Sequence, residues 1–187
     1  MSTRSPLPQA VAWRAVARCA ARSAALLVRR RVHLPRGNVG VTLRFADGTT
    51  ARVYRETVVD PQPKDPCTLM VSFRLRWVRG PGHAAFRAES ILNTVLFVGF
   101  RGFASKLWMA HDTHGTYRGI YEWDGPRDAE AYARALWRVL ELVSAPGSID
   151  YRVVPGVRRD EAIADPHRLE VLEPEQKGAW WRVLGAA

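Results

Sequence analysis

The order of periodic segments between Thr68 and Pro155 leaves this chain very few folds to choose from. From Thr68 to Val78, Leu69, Val71, Phe73, Leu75 and Trp77 alternate with Met70, Ser72, Arg74 and Arg76. That period of two is the mark of a strand. Gly80-Pro81-Gly82 then turns the chain into a helical pattern over His83–Val98. Strands are predicted over Phe103–His111 and Tyr117–Trp123, joined as a hairpin across Asp112-Thr113-His114-Gly115. A second helix is expected over Arg127–Val143, with Asp124 placed to cap it and Pro126 in its first turn. Ile149–Pro155 is the last strand. With right-handed crossovers this βαββαβ order gives an α+β fold, a four-stranded antiparallel sheet with both helices on one face.

Both faces of that sheet carry bulk. One predicted strand offers Lys106, Trp108 and Ala110 on one side and Leu107, Met109 and His111 on the other. The next offers Tyr117, Tyr121 and Trp123 against Arg118, Ile120 and Glu122. Two helices cover one face only, so the other must be covered by the N-terminal segment or by a second copy of the chain, and a homodimer is the expectation.

Upstream, Gln9–Val32 is helical in pattern, with Arg14, Arg18, Arg22 and Arg29 recurring opposite Ala, Val and Leu until Pro35 and Gly37 stop it. Val39–Phe45 and Thr50–Val59 flank Ala46-Asp47-Gly48, a hairpin signal. Three prolines between Asp60 and Pro66 read as a linker. The chain thus divides into 1–66 (basic helix, hairpin and linker), 67–159 (the βαββαβ unit) and 160–187 (a tail). Within the tail, Lys177–Leu184, with Trp180-Trp181, reads as a short helix folding back on the domain.

The net charge of +10 invites a nucleic-acid reading. Only Lys64, Lys106 and Lys177 are lysines, and the arginines are scattered apart from Arg29-Arg30-Arg31 and the helical row before them. A solvated basic helix accounts for them, and no specific nucleic-acid partner is expected. No apolar run approaches the roughly 18 residues of a membrane span. Cys19 and Cys67 are far apart and lack metal-ligand spacing, which fits a reducing compartment. With no convincing signal peptide, a cytoplasmic location is expected.

Three runs carry a family resemblance: Gly99-Phe100-Arg101-Gly102-Phe103-Ala104-Ser105-Lys106-Leu107-Trp108, Gly115-Thr116-Tyr117-Arg118-Gly119-Ile120-Tyr121-Glu122-Trp123, and Ala129-Glu130-Ala131-Tyr132. Their order resembles the ferredoxin-like dimeric α/β-barrel superfamily, and within it the small YdhR-like proteins described as mono-oxygenases. The resemblance covers about half the chain, roughly Thr68–Pro155, and leaves out the N-terminal helix and hairpin and the tail beyond Arg159. It implies a ligand pocket between sheet and helices, and a small-molecule-binding protein with cofactor-independent, mono-oxygenase-like activity on an aromatic or polycyclic substrate. The superfamily also hosts proteins of quite different chemistry.

A helical wheel over His83–Val98 puts His83, Arg87, Ser90 and Thr94 on one side and Ala85, Leu92, Leu96 and Glu89 on the other, with Asn93 at its edge. A carboxylate on an apolar stripe must be paired, protonated or facing a cavity. Glu89 is therefore a candidate acid–base residue or one half of an ion pair with Lys106 or Arg118. Lys106 and Tyr121 complete the catalytic candidates, as base or as oxyanion stabiliser. Asn93, Trp108, Tyr117, Arg118 and Trp123 are the candidate ligand contacts, the aromatics serving as walls for a flat compound or simply as core.

His111-Asp112-Thr113-His114 is only a partial ligand set, and a solvent-exposed turn is expected there rather than a metal. The second helix offers no histidine to a haem, only Tyr132, so no cofactor is expected. The competing reading is a non-catalytic binding or scaffold protein that uses the basic N-terminal helix against a partner or a membrane surface.

Overall fold

The computed structural model describes residues 5–78, 80, 82, 97–172 and 179–187. Helix α1 (Gln9–Val28) is followed by strands β1 (Val32–His33), β2 (Thr42–Phe45), β3 (Thr50–Val59) and β4 (Pro66–Arg74). After the stretch where the sequence predicts a first crossover helix, most of which (83–96) lies outside the described residues, come β5 (Phe103–Met109) and β6 (Thr116–Asp124). Helix α2 (Pro126–Leu140), strand β7 (Asp150–Pro155), helices α3 (Arg159–Ala164) and α4 (Pro166–Leu172), and strand β8 (Val183–Ala186) complete the chain.

The strands form one antiparallel sheet in the order β7-β4-β6-β5-β3-β2-β8, with β1 beside β3. Its first four members are the predicted βαββαβ strands. The N-terminal hairpin extends that sheet, since β3 pairs with β5 from Val53 opposite Met109 to Val58 opposite Ser105.

Two cores lie on opposite faces. On the helix side Leu69, Val71, Trp108, Tyr121 and Trp123 pack against Phe97, Ala129, Tyr132, Leu136 and Leu140. On the other side Met70, Leu107, Met109 and Ile120 pack against Leu43, Phe45, Ala162, Leu169, Trp181 and Val183. The face for which the sequence demanded a cover is thus covered by the hairpin and the C-terminal segment of the same chain. This face supplies no separate need for a second copy.

Helix α1 joins the helix layer through Ala12, Val16, Cys19 and Ser23, and leaves Arg14, Arg18 and Arg22 outside. It stops four residues before the predicted end. Arg30 takes a positive φ of 54°, the Arg30 amide donates to the Leu27 carbonyl and the Arg31 amide reaches back to Leu26, a Schellman stop.

Two further expectations are corrected. Asp124 does not cap α2, whose N-cap is Gly125; its Oδ1 accepts the amides of Lys64 and Asp65 at 2.9 and 2.8 Å, and so pins the proline-rich segment to the domain. The tail does not end in a helix where it is described. Trp180 donates its indole N–H to Asp150, Trp181 is buried, and Val183–Ala186 is a strand paired with β2. Among the described residues no helix is long and apolar enough to cross a membrane.

Candidate functional site

Alternation along β5 and β6 sets which side chains meet. Lys106 faces Tyr121 across the β5–β6 ladder and Thr57 across the β3–β5 ladder, and all three point to the helix side. The Lys106 Nζ lies 3.2 Å from the centroid of Trp108, 4.7 Å from Tyr121 and 4.9 Å from Phe97, a cation–π cage of three rings. The Arg55 guanidinium stacks over the same Trp108 ring at 3.9 Å. Trp108 is held by its own indole N–H, which donates to Thr57 Oγ1 at 3.0 Å.

Lys106 is buried, and among the described residues no carboxylate reaches its amine. Burial first, and the neighbouring Arg55 charge second, push its pKa well below the ordinary lysine value. Burial and the Arg55 charge thus weaken the hold of this amine on a proton, the direction a general base requires, while the three rings act the other way.

Tyr121 has the opposite tendency. Burial raises its pKa, so its phenol stays protonated and acts as a donor rather than a base. Its oxygen accepts the Tyr132 hydroxyl at 3.4 Å. Tyr132 was not among the predicted contacts; its spacing with Ala129, Ala133 and Leu136 marks it as buried but says nothing of where its hydroxyl points. Gly119 makes room for this arrangement, because a Cβ there would fall 2.8 Å from the Tyr121 ring. Gly119→Ala is therefore expected to displace Tyr121 and to cost roughly 1–3 kcal/mol, seen as a lower melting temperature together with changed tyrosine fluorescence.

Of the predicted site residues, Lys106, Trp108 and Tyr121 come together, and Trp123 joins them through Tyr132, whose ring centroid is 4.6 Å away. Tyr117 shares the face but stacks on Phe73 at 5.6 Å, with His111 against its edge. Arg118 lies on the opposite face. Its Nη1 donates to Asp112 and its Nη2 to Asp47, each at 2.7 Å. Glu89 and Asn93 lie outside the described residues.

The His111–His114 turn is not simply solvent-exposed. Asp112 is buried and accepts the amides of His114 and Thr116 as well as Arg118, so its carboxylate builds the turn. Among the described residues no group of three or more His, Cys, Asp or Glu side chains is placed to hold a metal ion.

A second polar group went unread in the sequence. On the face away from Lys106, a 410 Å³ cavity is lined by Ser105, Glu56, Glu122, Arg158 and Arg159 among others. Glu56 is a carboxylate within the otherwise β-prone run of β3, near Val53, Val58 and Val59, and that was the available signal.

Strands β4, β5, β6 and β7 stand in the order 4-1-3-2 when numbered by their place in the unit, all antiparallel, with α2 on one face. The fold is ferredoxin-like. This is the architecture of the superfamily that the motifs resemble. No family model matches the chain, and no curated protein does. Solved structures that it resembles include a major regulator of staphylococcal pathogenesis, at 13% identity and a TM-score of 0.42, over 59% of this chain and 69% of that one. Another is an uncharacterised ferredoxin-fold protein from Listeria monocytogenes related to antibiotic biosynthesis monooxygenases, at 14% identity and 0.41, over 64% and 80%. A third is an anthrone oxidase-like protein, at 15% identity and 0.39, over 59% of this chain and 55% of that one. The fold assignment rests on the chain's own strand order.

Proposed function

We propose that the helix side of the sheet binds a small aromatic molecule with a weakly acidic C–H or O–H, and that Lys106 removes that proton. The observation that carries this reading is the buried Lys106 amine, set among three rings with Arg55 nearby and no carboxylate partner among the described residues, its pKa lowered by burial. The Tyr121 hydroxyl offers a hydrogen bond and Arg55 a positive field for the anion that forms, and a flat ligand would stack on these rings by displacing part of the helix-side packing.

With dioxygen as the oxidant, such an anion supports cofactor-independent mono-oxygenation. An activated methylene becomes a carbonyl, one oxygen atom enters the product, and the other leaves as water with the two methylene hydrogens. Lys106, Tyr121 and Glu89 are the catalytic candidates of this reading, and Trp108, Trp123 and Asn93 its ligand contacts.

Anthrone is a suitable probe, since its central methylene is acidic and its oxidation consumes one dioxygen. Oxygen uptake by the purified protein should fall by at least about 100-fold in Lys106→Met, the scale of a lost general base. The same variant should be no less stable than the parent at neutral pH. A folded lysine pKa below the unfolded value means the unfolded chain binds more protons, so the parent is penalised most at low pH and the penalty fades as pH rises toward the ordinary lysine value of 10.5. Lys106→Met therefore gains most at low pH. Unchanged oxygen uptake in that variant, or a parent that neither binds nor oxidises anthrone, would overturn the reading.

A further inference from the structure

The face of the sheet that does not carry Lys106 holds the 410 Å³ cavity, where β3, β5 and β6 meet the start of α3. Its volume corresponds to roughly a dozen waters at about 30 Å³ each, enough for a compact ligand. Its walls are unusually polar for a position between a sheet and the helix covering it.

Arg159, 4% exposed, donates Nη2 to Glu56 at 2.6 Å and Nε to Asp160 at 2.7 Å. Its Nη1 is buried without a hydrogen-bond partner. The Ser105 hydroxyl, on a residue 2% exposed, is likewise buried and unpartnered. A buried donor left unmade costs stability, and two of them on one cavity wall mark positions that a bound molecule would satisfy. Among the described residues Glu122 is held by a 3.3 Å contact from Arg158 Nη1 to its Oε1, and its other carboxyl oxygen accepts no hydrogen bond there.

The charges around the cavity exclude most ionic ligands. Glu56 and Asp160 offset Arg159, and Glu161 is paired with Arg168 at 3.1 Å. A free anion would meet the carboxylates of Glu122 and Asp160, and a free cation the guanidinium groups of Arg158 and Arg159. What remains complementary is a neutral molecule with several hydroxyls, each able both to donate and to accept.

We propose that this cavity is a second binding site, for a neutral polyhydroxylated molecule of about monosaccharide size. A ligand oxygen accepts from Arg159 Nη1 and from Ser105, and a ligand hydroxyl donates to Glu122. The site lies back to back with Lys106, because Ser105 and Lys106 are adjacent on β5 and point to opposite faces.

Saturation-transfer NMR on the full chain, with D-glucose and myo-inositol as probes and inorganic phosphate and putrescine as charged controls, tests this. A polyol signal is expected, unaffected by Lys106→Met. It should weaken at least tenfold in apparent affinity in Ser105→Ala and in Glu122→Gln. Ser105→Ala leaves no other group without a partner, so a purely structural serine predicts an unchanged or higher melting temperature with no effect on binding. Absence of any polyol signal, a signal indifferent to Ser105→Ala, or preference for phosphate or putrescine would each overturn the proposal.

Discussion

Gly99→Ala is expected to lower the melting temperature by about 10 °C, through a loss on the order of 3 kcal/mol, and to loosen helix α1. A Cβ at Gly99 would lie 2.6 Å from the Ser23 amide nitrogen and 2.7 Å from its hydroxyl, and closer still to the Cys19 carbonyl oxygen. Two of these three atoms are backbone of α1, so no side-chain rotation relieves the overlap. The helix must move away from the Phe97–Phe100 segment as a unit, and it takes the burial of Ala12, Val16 and Cys19 with it. Limited trypsin digestion gives the second readout, since Arg14, Arg18 and Arg22 become cleavable only when the helix unwinds. Gly37→Ala is the control: nothing lies within 4 Å of a Cβ there, and its effect should stay within about 0.5 kcal/mol. Equal melting temperatures for the two variants would show that α1 does not seat on Gly99.

Arg118→Met should be as damaging, for an electrostatic reason. The guanidinium holds Asp112 and Asp47, each at 2.7 Å, with 4% of the arginine side chain and 1% of the Asp112 side chain exposed. Removing the cation leaves a buried carboxylate without its counter-charge, a loss of roughly 3–5 kcal/mol. Asp47 is less deeply buried, and Asp47→Asn should cost only about 1 kcal/mol. Burial pushes the Asp112 carboxyl up, but the Thr116 amide, Arg118 and the His114 amide together outweigh it and leave the pKa below the ordinary 3.8. A depressed carboxyl contributes stability that is present above the unfolded pKa and lost as pH falls through the folded one. The gap between parent and Arg118→Met should therefore be widest near neutral pH and close below about 3.8. A variant that kept its melting temperature and lost only ligand binding would return Arg118 to the ligand site.

Most of the strands were legible because each carries apolar bulk at every second position, and Thr50–Val59 was found to the residue. The elements missed were short or depended on distant partners. Val183–Ala186 spans four residues with a glycine among them, and only pairing with β2 makes it a strand. Helices α3 and α4, six and seven residues long, are too brief to show a 3.6-residue period. Asp124 stands where a helix cap belongs, yet amides some 60 residues away claim its carboxylate. At the site, alternation put Lys106 with Trp108 within one strand and set Tyr121 against Arg118 within the next, but which of those sides share a face depends on the register between β5 and β6, which pairs Lys106 with Tyr121. The polar cavity draws on separate segments of the chain, and no local pattern joins Glu56 to Arg159.

The strand order also bears on how quickly the protein reaches its native state. Among the described residues β2–β3 and β5–β6 are the hairpins of immediate neighbours, whereas Thr68 must find Val154 and Leu43 must find Ala186. Pairings so distant along the chain delay productive collapse, and folding on the order of milliseconds to seconds is the expected scale for such topologies. The two hairpins can form early. The β2–β8 pairing spans the longest separation along the chain and is expected to close last, so in a hydrogen-exchange experiment its amides should be the first of the sheet to open. Until it closes, the β2 edge is unpaired, and that interval is when newly made copies are most prone to stick to one another.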